Sequence, residues 1–155
     1  PAVIDNETLS SVFKQFAQQL GWKVEQKENC ILVMMSRVDT TILLIDDNKG
    51  LADLMKRYLS DASYQVVAAH SGRDGLQLAQ DITPDVIIMD IMMPQMDGWE
   101  LLQRLQTIPD TKNIPVIVCS VINDPQLAFS LGASTFIAKP VDKDKLFQAL
   151  IELDL

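Results

Sequence analysis

The chain has 155 residues, 48% of them hydrophobic and 22% charged, a balance that suits one ordinary domain with an appendage and excludes a disordered chain. Its formal net charge of −8 argues against a general nucleic-acid surface and fits an acidic patch for a cation better. Two cysteines, Cys30 and Cys119, each adjoin an apolar run and read as reduced thiols, so the cytoplasm is the expected compartment.

No apolar stretch is long enough to span a membrane, and the first seven residues do not read as a signal peptide. The chain lacks an initiator Met and is expected to be a piece of a longer protein. In chain order, Leu9, Val12, Phe13, Phe16, Ala17 and Leu20 form an apolar stripe on one predicted helix, which Gly21 ends. Trp22 to Glu25 alternates, Lys27-Glu28-Asn29 suits a turn, and Ile31 to Met35 is apolar again, which predicts a β-hairpin. Residues 1–39 are therefore read as a helix plus hairpin, the tail of an upstream domain or a linker. Alone this unit buries too little to be stable. It echoes the end of a winged-helix domain, but its hairpin turn carries little positive charge, and no direct contact with nucleic acid is expected.

From Thr40 onward, strand-like and helix-like segments alternate. Thr41 to Ile45 is a short apolar run, followed by Asp46-Asp47-Asn48 and a helix carrying Leu51, Leu54, Met55, Tyr58 and Leu59. Tyr64 to Ala69 is the second strand. Ser71 is a candidate N-cap for a helix with Leu76 and Ala79, although Gly72 and Gly75 weaken its first turn. Val86 to Met89 is the third strand, and Trp99 to Leu105 the next helix. Ile114 to Cys119 is the fourth strand, with Pro115 near its start. A short helix from Gln126 to Leu131 stops at Gly132. Thr135 to Ala138 is the fifth strand, and a last helix from about Asp142 buries Leu146, Phe147, Leu150 and Leu153. Five short apolar strands separated by helices predict a parallel sheet covered on both faces, a doubly wound α/β fold in which ligands gather at the carboxyl ends of the strands.

The strand ends carry the chemistry. The first ends in Asp46-Asp47, the third in Asp90, the fourth in Ser120 and the fifth in Lys139-Pro140. In a parallel sheet these ends share one edge, so three carboxylates, a hydroxyl and an ammonium converge. Three like charges repel unless a cation joins them, and hard oxygen ligands of this kind suit Mg2+.

This set, with Asp90 in "DIMMPQMDG", resembles the receiver domain of two-component response regulators, of the chemotaxis-regulator type, over residues 40–155. The resemblance implies a flavodoxin-like five-stranded sheet in the order 2-1-3-4-5 and a phospho-accepting switch. It implies that Asp90 takes a phosphoryl group from a sensor histidine kinase or phosphotransfer domain. Asp47, Asp90 and the main-chain carbonyl of Met92 would hold Mg2+ directly, and Asp46 through water. Lys139 would pair first with Asp90 and then with a phosphoryl oxygen, and Ser120 would hydrogen-bond another. Such a domain is not an enzyme on other substrates; it catalyses its own phosphorylation and dephosphorylation, commonly within a hybrid kinase or multidomain regulator. The charge balance agrees, since a phosphoryl group adds roughly −1.5 to −2 at neutral pH, the scale one Mg2+ and one Lys can offset.

Pro94 is expected to stiffen the loop after Asp90, and Gly98 to supply backbone conformations closed to other residues. The Lys139-Pro140 bond resembles the family's cis peptide, which would aim Lys139 into the site. Phe136 stands where the family couples Ser120 to an aromatic switch, and is expected to turn inward when Ser120 closes on phosphate. Met92 and Ile122 flank the site and are expected to shield the acyl phosphate from water. Met89, Met92, Met93 and Met96 read as core filling and lid contacts rather than metal ligands, His70 as an isolated strand-end residue, and Trp99 as the start of a helix face.

The interval from Ser120 to Lys139 is a few residues shorter than is usual in receivers, and the shortening falls in the fourth helix. A homodimer is compatible with the resemblance, but no mode of pairing follows from it. Two other functions suit these residues less well. A phosphate-transferring hydrolase of the aspartate-nucleophile type needs a second aspartate two positions on, where this chain has Met92 after Asp90 and Asn48 after Asp46. A phosphorylation-independent interaction module would have no use for the intact five-residue set.

Overall fold

The computed structural model describes residues 23–27, 30–34, 40–59, 64–94 and 96–155. The chain divides into two units, Pro1–Asp39 and Thr40–Leu155. In the first, β1 (Lys23–Lys27) and β2 (Cys30–Met34) pair antiparallel with Lys27 opposite Cys30, the expected hairpin. The predicted helix over Leu9 to Leu20, its stop at Gly21 and the turn residues Glu28 and Asn29 lie outside the described residues.

The second unit runs β3 (Thr40–Ile45), α1 (Lys49–Leu59), β4 (Tyr64–Ala69), α2 (Gly72–Ile82), β5 (Val86–Met89), α3 (Gly98–Thr107), β6 (Val116–Ser120), α4 (Pro125–Ser130), β7 (Thr135–Ala138) and α5 (Lys143–Glu152). The five strands are all parallel, in the order β4-β3-β5-β6-β7. This is the 2-1-3-4-5 order of a flavodoxin-like sheet, with helices on both faces.

Period-two alternation is hidden inside the apolar runs and decides which layer each residue joins. Ile42, Leu44, Ile88, Ile117 and Ile137 face one layer, with Met55 and Leu59 of α1 and Leu146 and Leu150 of α5. Leu43, Ile45, Ile87, Met89 and Val118 face the other, with Ala79 of α2, Leu101, Leu102 and Leu105 of α3 and Ala128 of α4. Because both faces are covered, β5 is apolar at every position and fully buried.

Side chains start the helices, Ser71 as expected. Ser71 Oγ accepts from the Asp74 N–H at 3.1 Å, and the Asp97, Asp124 and Asp142 carboxylates cap α3, α4 and α5 in the same way. Gly75 looks like a poor choice for a helix, but a Cβ there would meet the Ile45 side chain at 2.6–2.8 Å, so its absence lets α2 lie close on β3. Gly132 follows α4 at φ 98°, the left-handed stop expected of it.

Two boundaries and one burial differ from expectation. β6 begins at Val116, not Ile114, because Pro115 has no N–H for the ladder, although its carbonyl accepts from Ile87 N–H at 3.0 Å. Helix α4 has six residues and ends at Ser130. Phe147 is half-buried at the rim of the core, edge-on to Tyr64 at 6.1 Å with the Lys143 ammonium 5.6 Å from its ring centre. Among the described residues, no helix is long and apolar enough to cross a membrane.

Candidate functional site

The sheet's hydrogen-bond ladder runs one residue beyond the apolar strands, and those last rungs carry the polar residues. Asp46 N–H donates to the Ala69 carbonyl at 3.1 Å, and Asp90 N–H to the Ile45 carbonyl at 3.0 Å. On the far side, Lys139 N–H donates to the Ser120 carbonyl at 2.9 Å. Parallel pairing thus sets Asp46, Asp90, Ser120 and Lys139 along one edge. Their main chains are anchored before any side-chain contact is counted.

The side chains then meet. Lys139 Nζ lies 2.6 Å from Asp90 Oδ2 and 2.8 Å from Asp46 Oδ2. Asp46 is 1% exposed and Asp90 5%, so neither carboxylate is neutralised by bulk water, and each relies on these bonds. Burial would pull the Lys139 ammonium down, but its hydrogen bonds to Asp46 and Asp90, with their charges, outweigh burial and raise it. The expected pairing of Lys139 with Asp90 is present, and it is shared with Asp46. Among the described residues, four polar side chains are buried: Asp46, Asp90 and Ser120 at this edge, and Thr111, whose hydroxyl donates to the Leu105 carbonyl at 2.7 Å.

Asp47 is exposed, yet one carboxylate oxygen from each of Asp46, Asp47 and Asp90 falls within 4.8 Å of the others. Two buried carboxylates and one exposed carboxylate form an all-oxygen donor set open on one side. That chemistry fits a hard divalent cation that keeps part of its water. One lysine against three carboxylates leaves the cluster net negative, which also favours a cation.

The loop after β5 is tightly built. Met92 N–H donates to Asp90 Oδ1 at 2.9 Å, and Met93 N–H to the Ile91 carbonyl at 3.1 Å. Gly98 does not supply an unusual backbone conformation as expected; among the described residues, Gly132 is the glycine at positive φ. Gly98 is needed for space, because a Cβ there would run into the backbone of Ile91. Pro94 is exposed in the same loop. Of the methionines, Met89 is core, Met93 and Met96 pack against the core, and Met92 is 54% exposed beside Asp90. Trp99 packs on the same layer at the start of α3.

Ser120 is fully buried, and its Oγ accepts from Ile122 N–H at 3.1 Å. Ile122 and Val121 stand exposed beside it. Phe136 is half-buried on β7, in register with Val118 and packed against the core. The Lys139-Pro140 bond is cis. Cys119, next to Ser120, is buried, and burial pushes its thiol up to about 12, so it stays protonated and inert.

One residue at this edge went unconnected to the site in the sequence. His70 Nδ1 lies 3.2 Å from the Asp46 main-chain carbonyl. A carbonyl only accepts, so this contact selects the tautomer protonated at Nδ1. The available signal was topological: if β4 neighbours β3, the residue ending β4 must lie beside the residue ending β3.

Known proteins resemble this chain in sequence and in fold. The family model for the response regulator receiver domain matches residues 42–151. The transcriptional regulatory protein GlrR of Escherichia coli is 37% identical over 119 residues, 75% of this chain and 26% of that protein. The chain spans between about a quarter and a half of the curated relatives it matches. Among solved structures, the chemotaxis response regulator CheY4 of Vibrio cholerae is 29% identical at a TM-score of 0.69, over 74% of this chain and 98% of that one. The signal receiver domain of a signal transduction histidine kinase from Syntrophus aciditrophicus is 32% identical at a TM-score of 0.67, over 74% and 89%. The flavodoxin-like sheet, the acidic edge and these likenesses agree, and the chain belongs to the response regulator receiver domain family.

Proposed function

We propose that this receiver domain accepts a phosphoryl group on Asp90 and relays that event to an output surface. The observation that carries the proposal is the state of the Asp90 carboxylate. It is buried and its Oδ1 is occupied by the Met92 N–H, while Oδ2 meets the Lys139 ammonium beside two further carboxylates. A structural carboxylate has no need of that company.

The donor is a phosphohistidine on a sensor kinase or phosphotransfer domain. An Asp90 oxygen forms the new P–O bond, the P–N bond breaks, and its electron pair returns to the imidazole. Asp46, Asp47 and Asp90, with the Met92 carbonyl, would hold Mg2+, which when bound offsets charge on the phosphoryl oxygens. Lys139 then moves from its carboxylates toward a phosphoryl oxygen. The Ser120 hydroxyl, whose acceptor side is engaged by Ile122 N–H, turns its own proton to another. Phe136 follows Ser120 inward.

This domain catalyses its own phosphorylation and dephosphorylation, in the cytoplasm. The match to a histidine-kinase receiver supports a hybrid kinase, and the match to about a quarter of a longer regulator supports a multidomain regulator equally well. The 1–39 unit is then the end of an upstream domain or a linker. Incubation with Mg2+ and acetyl phosphate should place one base-labile phosphate on the chain, and Asp90→Asn should abolish it. Persistent labelling of Asp90→Asn would remove Asp90 from its role.

A further inference from the structure

The two carboxylate-bearing loops come from different strands, and a third segment touches both. That segment is the junction between β4 and α2, residues 69–72. On one side it holds the Asp46 loop by two bonds: Asp46 N–H to the Ala69 carbonyl at 3.1 Å, and His70 Nδ1 to the Asp46 carbonyl at 3.2 Å. On the other side Gly72 forms a notch for the Asp90 loop. Gly72 is buried, and a Cβ on it would lie 2.6 Å from Met96 Sδ and 3.2 Å from Met96 Cβ and Cγ. The first of those distances is roughly 1 Å short of the ~3.5–4.0 Å at which non-bonded heavy atoms settle. Met96 belongs to the loop that begins at Asp90 and closes at Gly98.

The junction is itself fixed. Ser71 Oγ caps α2, and Gly75 one turn on lets the helix lie against Ile45, the residue before Asp46. Glycine is not a residue that helix propensity favours. What glycine supplies at position 72 is space for Met96.

We infer that Gly72 and Met96 are positioning residues for the cation site, the β4–α2 junction serving as a clamp that sets the Asp46 and Asp90 loops at one separation. The inference rests on the magnesium reading above. Mg2+ demands near-ideal octahedral geometry at about 2.0–2.1 Å, so a loop displaced by a fraction of an ångström costs affinity even when every ligand is present. Groups that orient metal ligands typically change affinity by about 10–100-fold when altered.

The test is Mg2+ titration calorimetry on the 155-residue chain, with circular dichroism melts to confirm folding. Gly72→Val should weaken Mg2+ binding by about tenfold, the lower end of that range, and Gly72→Ala by a smaller factor in the same direction. Adding Met96→Ala to Gly72→Val should recover much of the loss, because the crowding partner is gone. A role in stability alone would move the melting temperature and leave the affinity of the folded protein in place. Affinities of Gly72→Ala and Gly72→Val equal to the parent's, with Asp47→Asn still weakened, would overturn the clamp and leave the magnesium reading standing. Failure of the parent chain to take up Mg2+, or of Asp47→Asn to weaken it, would overturn both.

Discussion

Two loops flank the site and are built differently. The loop from Asp90 to Asp97 is closed at both ends: Gly98 abuts the Ile91 backbone, Met96 fills the notch at Gly72, and Asp90 Oδ1 holds the Met92 N–H. The loop after Ser120 is open. Val121 is 65% exposed and Ile122 39%, and its ties are Ile122 N–H to Ser120 Oγ and Asp124 N–H to the Ile122 carbonyl. A loop that presents ligands to a small cation gains from being prebuilt, because each fixed dipole is already aimed. A loop that must answer a new phosphoryl group gains from having little to break. The same edge of one sheet thus carries a packed wall and an exposed one, and the difference lies in side-chain packing rather than in strand pairing.

This contrast can be broken most strongly at Gly98. Gly98→Ala puts a methyl against the Ile91 backbone, which cannot rotate aside, and should cost about 3 kcal/mol of unfolding free energy, the upper end for overpacking. Urea denaturation measures it, and a loss within about 0.5 kcal/mol, as at an ordinary surface position, would show that the first loop is not rigid.

Lys139 stands between the walls, bonded through Nζ to Asp90 and through its main chain to Ser120. Lys139→Met leaves two buried carboxylates facing each other and should cost about 2 kcal/mol in metal-free buffer, less than the 3–5 of a fully buried pair because the lysine is partly exposed. Its pH dependence has a definite sign. The folded pKa of Lys139 is raised, so its stabilisation is complete below the unfolded lysine value of about 10.4 and is lost as pH rises through the higher folded value. The stability gap between parent and Lys139→Met should therefore hold steady through neutral pH and narrow in strong alkali.

The smallest effect on stability belongs to the open loop. Ile122→Glu should change unfolding free energy by under about 0.5 kcal/mol. It should still speed loss of phosphate from Asp90 several-fold, by replacing an apolar shield with a hydrated carboxylate. An unchanged dephosphorylation rate would mean that Ile122 does not cover the acyl phosphate.

Much of this molecule could be read along the chain. Apolar runs of four to six residues between amphipathic segments specify strands and helices locally, and Ser71 and Asp142 mark helix starts through bonds that span only three residues. Element ends were less legible where two local signals competed, as at Ile114-Pro115, whose β-like residues precede a proline that cannot donate. Phe147 reads as core by composition but lies at a rim, because helix periodicity gives the direction of a side chain and not how far the neighbouring layer extends.

At the site, residue identities were legible and their spacing was not. Asp46, Asp47, Asp90, Ser120 and Lys139 could be named because a parallel sheet must bring the ends of its strands to one edge. That Lys139 bonds Asp46 as well as Asp90, that Gly98 is required for room rather than for an unusual φ, and that His70, Gly72 and Met96 link two loops depend on how closely separate layers approach. Which elements form follows from contacts a few residues apart, and these the amino-acid order carries. The clearances between elements come from the packed fold, because distances of tenths of an ångström arise from all the layers settling together.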